Sequence, residues 1–154
     1  MNKDQIIKSF LAGFFSAITI GVLTLLTYKT ELGVFLIASF GSSMVLLFGY
    51  PENPFAQPKN IFFGHLLSAL VGMFFLYFIP LPLYIIIPAS VGFAVGLMIL
   101  FKVTHPPAGS NPIIVIMGSV SLDYLINPII IGTVIVLIFG IVLNRLILKK
   151  KYPI

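Results

Sequence analysis

Charge is scarce in this 154-residue chain: 8% of its residues are charged against 59% hydrophobic, with a mean hydropathy of +1.15. A soluble domain of this length cannot cover itself with so little polar surface, so the chain reads as an integral membrane protein. Cysteine is absent, which removes disulfides and thiolate chemistry. The carboxylates are Asp4, Glu31, Glu52 and Asp123; all fall at the ends of apolar runs and none is paired for acid–base work. Two histidines without cysteine make no metal cluster of recognisable spacing. There is no phosphate-binding loop, dinucleotide fingerprint or nucleophile elbow. The expectation is a protein that is not an enzyme and uses no cofactor or metal. A formal net charge of +5 raises nucleic acid as a partner, but the nine basic residues are scattered between apolar blocks and form no basic stripe.

What the chain does have is apolar length. A bilayer core of ~30 Å takes ~20 helical residues, and the runs 9–28, 32–50, 61–79, 83–101 and 127–148 qualify. The stretch 103–122 is open: a cytoplasmic loop or re-entrant hairpin gives five crossings, an irregular crossing gives six. Basic residues near membrane ends gather on the cytoplasmic side. With six crossings and the amino terminus inside, Lys3, Lys8, Lys59, Lys102, Arg145, Lys149, Lys150 and Lys151 all lie inside and Lys29 alone lies outside. With five crossings the split becomes four against five. The sequence therefore predicts six crossings of the cell membrane with both termini cytoplasmic, the first run being a retained helix and not a cleaved signal peptide.

Six crossings invite a search for a repeat of three. A shift of 68 residues places Gly41 on Gly109, Ser42 on Ser110, Ile61 on Ile129, Gly64 on Gly132 and Gly72 on Gly140. Three crossings per unit is an odd number, so the second copy is inverted relative to the first. The predicted fold is an all-α polytopic membrane domain over 1–154 built of two inverted three-helix repeats, about 9–79 and 83–148, with broken helices near 38–44 and 104–112. Glycine and small residues at four-residue spacing, as in Gly13, Ala17 and Gly21, in Gly64, Ser68 and Gly72, and in Gly92 and Gly96, read as close helix packing.

The shift also aligns "ASFGSSMVLLFG" at 38–49 with "PAGSNPIIVIMG" at 107–118, two small, polar, helix-breaking stretches in equivalent places, where inverted repeats hold their ligands. Asn111 reads as an N-cap and Pro112 as the first helical position, with extended backbone over 104–110. In the first copy a half-helix is expected near 32–38, a break at 39–42 and a second half-helix from Ser43. Two helix amino termini, each carrying free N–H groups and about half a positive charge, would then converge near the midplane. The expected ligand is a small inorganic anion held by Ser39, Gly41, Ser42 and Ser43 from one break and by Gly109, Ser110 and Asn111 from the other. His105 would guard the cytoplasmic side, with Gln57, Lys59 and His65 at the entrance. The alternative for "GSS" is a packing contact, and for either histidine a structural hydrogen bond. The lack of an intramembrane carboxylate leaves His105 as the titrating group near the path. The basic carboxyl-terminal "RLILKKKYPI" reads as an anchor to anionic membrane lipid. A chain this short can hardly enclose a wide pore, so a homo-oligomer is expected.

"ASFGSSMVLLFG" at 38–49, "PFAQPKNIFFGHLLSALVG" at 54–72 and "THPPAG" at 104–109 together resemble, in order, the three blocks of the HPP family of integral membrane proteins. Members in plastids and cyanobacteria are associated with nitrite transport, so the resemblance implies a channel or transporter for a small monovalent anion, nitrite first and nitrate second. The rival readings are a pathway for a neutral species such as ammonia, nitrous acid or water, and a non-transporting membrane subunit or sensor. The family is usually described with four spanning helices, fewer than the charge count predicts.

Overall fold

A computed structural model describes residues 2–154. All its regular elements are helical: α1 Lys3–Lys29, α2 Ala38–Met44, α3 Pro58–Phe78, α4 Leu83–Leu100, α5 Asn111–Gly118 and α6 Ile131–Val142. Helix α2 runs on as a π-type turn over Val45–Gly49, and a 3₁₀ turn over Pro106–Ser110 leads into α5. Helix α6 is the centre of a longer helical stretch, Leu122–Ile147. The chain is an all-α polytopic membrane protein. Four of its helices, Lys3–Lys29, Pro58–Phe78, Leu83–Leu100 and Leu122–Ile147, are long and apolar enough to cross a bilayer.

The chain's direction follows from its contacts. Asn2, Lys8 and Ser16 of α1 share a cleft with Phe48, Tyr50 and Lys150, so the start of α1, the end of the 33–49 segment and the carboxyl-terminal tail lie on one face. At the other end of α1 the Thr27 hydroxyl accepts from the Phe35 and Leu36 N–H groups at 3.0 and 3.1 Å, and the Asn127 amide donates to the Leu32 carbonyl at 3.0 Å. Residues 33–49 therefore run back from the far face to the first. Helix α3 and residues 103–120 run side by side in the same direction: Asn60 donates to the Thr104 carbonyl, Ser68 to the Ala108 carbonyl and Tyr77 to the Val120 carbonyl. Six passages result, with both termini, Lys59, Lys102 and Arg145 on one basic face and Lys29 on the other. The 12 residues of Ala38–Gly49 reach about 18 Å and the 8 of α5 about 12 Å. Neither is long enough to span alone, which is why four helices qualify by length while the chain makes six passages.

Backbone buried in hydrocarbon must have its polar groups satisfied, and the short passages meet that need differently from expectation. Residues 33–37 are non-helical, not a half-helix, and the Phe35 and Leu36 N–H groups use Thr27. Helix α2 begins at Ala38 and continues unbroken through 39–42, so the interruption precedes the small residues; Ser43 back-bonds to the Ser39 carbonyl at 3.1 Å, as an intrahelical hydroxyl does. Residues 106–110 form a 3₁₀ turn instead of extended chain: proline at the first positions of a helical turn gives up an N–H that would have had no partner.

Four glycines hold the halves together. A Cβ on Gly64 would lie 2.7 Å from the His105 Cβ and 3.0 Å from the Val103 carbonyl, and one on Gly72 would lie 2.8 Å from the Pro112 Cα. On α6, Gly132 would meet the Phe35 carbonyl at 2.7 Å and Gly140 the Leu47 Cδ1 at 2.6 Å. Adding 68 carries Gly64 to Gly132, Gly72 to Gly140, Phe35 to Val103 and Leu47 to Val115, and Val115 is indeed beside Gly72. Each half's long helix thus grips the other half's short passage, through the same register. Gly13, Gly21, Gly92 and Gly96, by contrast, have nothing within 4 Å; their spacing marks no contact inside this chain.

Candidate functional site

Both short helices begin at the centre of the molecule, and there they touch: the Ser39 hydroxyl donates to Asn111 Oδ1 at 2.8 Å. Ser110 occupies the N-cap of α5 and Asn111 the first helical turn, so the expected capping role is displaced and the Asn111 side chain is free to reach across. Its amide nitrogen lies 3.1 Å from both the Nδ1 and the carbonyl of His65. His65 Nε2 meets the Ser43 hydroxyl at 3.1 Å, and that hydroxyl meets His105 Nε2 at 2.8 Å. His105 Nδ1 then faces the Phe55 carbonyl at 2.7 Å. Ser43, His65, His105 and Asn111 are each 0% exposed and Ser39 2%.

Donor and acceptor roles follow from what each group can do. A carbonyl only accepts, so His105 carries a proton on Nδ1. An amide NH₂ only donates, so His65 Nδ1 accepts and its proton sits on Nε2, directed at Ser43. The Ser43 hydroxyl has one proton and two acceptors in reach, His105 Nε2 at 2.8 Å and the Ser39 carbonyl at 3.1 Å. The edge of Phe40 packs against His65, ring centroids 5.1 Å apart, and the two imidazoles lie 5.0 Å apart. In an apolar interior such a network is stable only when every member is paired, and here every one is.

Four residues on one face of α3 place this cluster: Asn60, Gly64, Ser68 and Gly72 fasten Thr104, His105, Ala108 and Pro112 in turn. Four-residue spacing is one helical face, and the glycine and serine members of the stripe were legible as packing. Asn60, one turn earlier, was missed although the same spacing reaches it. The Phe55 carbonyl carries no sequence signal at all.

Of the residues expected at the site, Ser39, Ser43, His105 and Asn111 come together. Gly41 and Ser42 lie on the exposed side of α2, and Gly41 has nothing within 4 Å. Gly109 is likewise open, and the Ser110 hydroxyl donates to the Pro107 carbonyl at 2.9 Å; a helical turn sends neighbouring residues to different sides. His65 is not at an entrance. It is at the heart of the cluster, because α3 enters the membrane at Pro58 and has made about two turns by then. Gln57 braces the preceding loop, donating to the Pro51 and Asn53 carbonyls and accepting from Ile154 N–H. Lys59 is exposed on the basic face. Among the described residues, no group of three or more His, Cys, Asp or Glu side chains could hold a metal ion.

The carboxyl-terminal tail closes over the same loop. Tyr152 is fully buried and its hydroxyl donates to the Ala56 carbonyl at 2.7 Å, while Arg145 donates to the Tyr152 carbonyl at 2.6 Å. Burial pushes the Tyr152 phenol above its ordinary value.

Comparison with known proteins agrees with this architecture. The chain matches the family described as HPP, transmembrane region, over residues 1–153. Two transmembrane proteins of Dictyostelium discoideum are 32% identical to it over 163 and 162 residues; the alignments cover 99% of this chain but 51% and 56% of theirs. The chain thus spans about half the length of the curated relatives it matches. No solved structure matches it. With the three sequence blocks, the four helices of membrane-spanning length and the family match in agreement, the chain belongs to the HPP transmembrane family and is a multi-pass membrane protein.

Proposed function

We propose that the chain is a transporter for a small monovalent anion, nitrite first and nitrate second, and not an enzyme. The observation that supports this is the Ser39–Asn111 junction, where the amino-terminal turns of α2 and α5 meet at the centre of the molecule. Each helix start carries about half a positive charge, while the Phe40 N–H bonds the Ile37 carbonyl, the Asn111 N–H bonds the Ala108 carbonyl and Pro112 has no N–H; no carboxylate side chain hydrogen-bonds there to oppose an anion. Parting Ser39 from Asn111 makes the Ser39 hydroxyl and the Asn111 amide available as donors. Two small side chains guard the junction, which suits an ion of a few atoms. Nitrite is preferred over other such ions because of the resemblance to family members associated with nitrite transport.

In this reading the basic face is cytoplasmic, following the distribution of lysine and arginine, and the protein sits in the cell membrane. The open surface over Gly92 and Gly96 of α4 is where a second copy of the chain would pack. The test is nitrite uptake into proteoliposomes. Wild type should exceed protein-free vesicles, and Asn111→Leu, recovered folded, should fall to their level. Wild-type uptake in the Asn111→Leu protein would remove the junction from the path.

A neutral passenger is the second reading, favoured by the completeness with which the side chains of the Ser39–Ser43–His65–His105–Asn111 cluster satisfy one another. Uptake that tracks the concentration of nitrous acid and is unaffected by loss of the Asn111 amide would favour it.

A further inference from the structure

We infer that His65, Ser43 and His105 form a proton relay and that each anion passing the Ser39–Asn111 junction is accompanied by a proton along it; the inference rests on the anion-transport reading above. The hydrogen-bond chain has a direction. Asn111 N–H points at His65 Nδ1, His65 Nε2–H at Ser43, Ser43 O–H at His105 Nε2, and His105 Nδ1–H at the Phe55 carbonyl. Its inner end is the proposed anion junction and its outer end is the 51–57 loop on the basic face.

The step balances without any redox partner. When the Asn111 amide turns to the arriving anion, His65 Nδ1 is uncovered and takes a proton from water or from the acid form of the anion. His65 passes its Nε2 proton to Ser43 Oγ as Ser43 passes its own to His105 Nε2. His105 then releases its Nδ1 proton to water on the basic face as the Phe55 carbonyl moves aside. One proton enters, one leaves, and only N–H and O–H bonds are exchanged. Afterwards His105 Nδ1 and the Phe55 carbonyl are two acceptors face to face, and His65 Nδ1–H faces an amide NH₂. Both mismatches are relieved when each imidazole exchanges its tautomer through water, losing the proton on one nitrogen and taking one on the other with no net proton transfer, and the Ser43 hydroxyl turns back to His105, which resets the chain.

No competing titratable group interrupts the path. Helices α2, α5 and α6 contribute none to the cluster. Helix α3 has Lys59, the 51–57 loop has Glu52, Tyr50 precedes that loop and Lys102 precedes His105; all four are exposed, Tyr152 is buried with its hydroxyl on the Ala56 carbonyl, and none of the five hydrogen-bonds either ring. Each imidazole is therefore the titratable neighbour of the other, joined through Ser43. A purely structural cluster would work with one histidine; two imidazoles joined by a hydroxyl supply continuous proton donors and acceptors between two ends.

The test uses the chain in proteoliposomes with a pH-sensitive dye inside, sodium nitrite as the probe, and subtraction of protein-free vesicles to remove permeation of nitrous acid through lipid. In wild type an acid-outside gradient should drive nitrite above its outside concentration and acidify the lumen by one proton per nitrite. Ser43→Ala should lower the flux and, in the flux that remains, the proton-to-nitrite ratio; Ser43→Thr, which keeps a hydroxyl, should restore the ratio. Should Ser43→Ala pass too little nitrite for a ratio, wild type in D₂O decides: both fluxes slowing together supports the relay, and nitrite flux unchanged by D₂O overturns it. Wild-type nitrite flux without protons, or Ser43→Ala at the wild-type ratio, overturns the relay and leaves the anion reading standing. No nitrite flux above protein-free vesicles overturns both.

Discussion

The two short passages, 33–49 and 103–118, are the same device carrying different chemistry. The first descends as non-helical chain and the second largely as a 3₁₀ turn; each begins a short α-helix at the centre and is gripped by two glycines from the other half of the molecule, Gly132 and Gly140 for the first, Gly64 and Gly72 for the second. The first is closed with backbone and apolar groups: Thr27 takes its N–H groups, and Ile37 and Phe40 fill its interior. The second carries His105 where the first has Ile37, and Asn111 where the first has Ser43. Packing follows the repeat while hydrogen bonding does not: the polar network joins Ser39, Ser43 and His65 of the first half to His105 and Asn111 of the second.

The largest expected effect is on the asymmetric side. Asn111→Leu leaves the Ser39 hydroxyl, His65 Nδ1 and the His65 carbonyl without this partner, at about 1–3 kcal/mol for each buried group left unpaired. Its thermal midpoint in detergent should fall further than that of any other single variant considered, together with loss of nitrite uptake. An Asn111→Leu protein as stable as wild type would mean that the network is not closed as described.

Next come the glycines, which probe the symmetric frame. Overpacking costs about 1–3 kcal/mol, but the equivalent pair Gly72 and Gly140 should not respond equally. Gly72 faces the Pro112 backbone, while Gly140 faces the tip of the Leu47 side chain, which can turn away. Thermal unfolding of Gly72→Ala and Gly140→Ala should rank them in that order; equal losses would show that α5 yields as readily as a side chain.

A smaller effect is expected where the tail supports the Phe55 loop. Tyr152→Phe removes the hydrogen bond to the Ala56 carbonyl, costing about 1 kcal/mol. Because burial raises the Tyr152 value above its unfolded ~10, its contribution is complete below that pH and is lost as pH rises through the raised folded value. Melting of wild type as pH rises from 8 to 11, followed with tyrosinate absorbance, should show a loss that is smaller in Tyr152→Phe. The smallest effect is predicted for Gly41→Ala and Gly109→Ala, the repeat-related pair with nothing within 4 Å, which should change stability by no more than about 0.5 kcal/mol. A large loss of nitrite uptake in either would return them to the site.

Much of this was legible residue by residue. Asn-Pro at 111–112 marked the start of α5 to within one position, because proline's missing N–H restricts where a helix can carry it. The glycine spacing in α3 marked a face of close approach, yet the same spacing in α1 and α4 faces no atom of this chain, since a small residue permits contact without requiring it. The first passage was misread between 32 and 42 because its backbone is rescued by Thr27, a hydroxyl on another helix, which local propensity cannot register. His65 was placed at an entrance because its depth depends on where α3 begins.

The sequence by itself determined the all-α polytopic membrane class, and it predicted six passages in two inverted halves. These follow from hydropathy, charge and periodicity, which the bilayer reads along one dimension. Only the tertiary structure decided that Ser39, Ser43, His65, His105 and Asn111 meet, and that Gly41, Ser42, Gly109 and Ser110 do not join them. Which side chains meet depends on helix rotation and on the glycine-limited approach of one half to the other, a three-dimensional outcome no local pattern encodes.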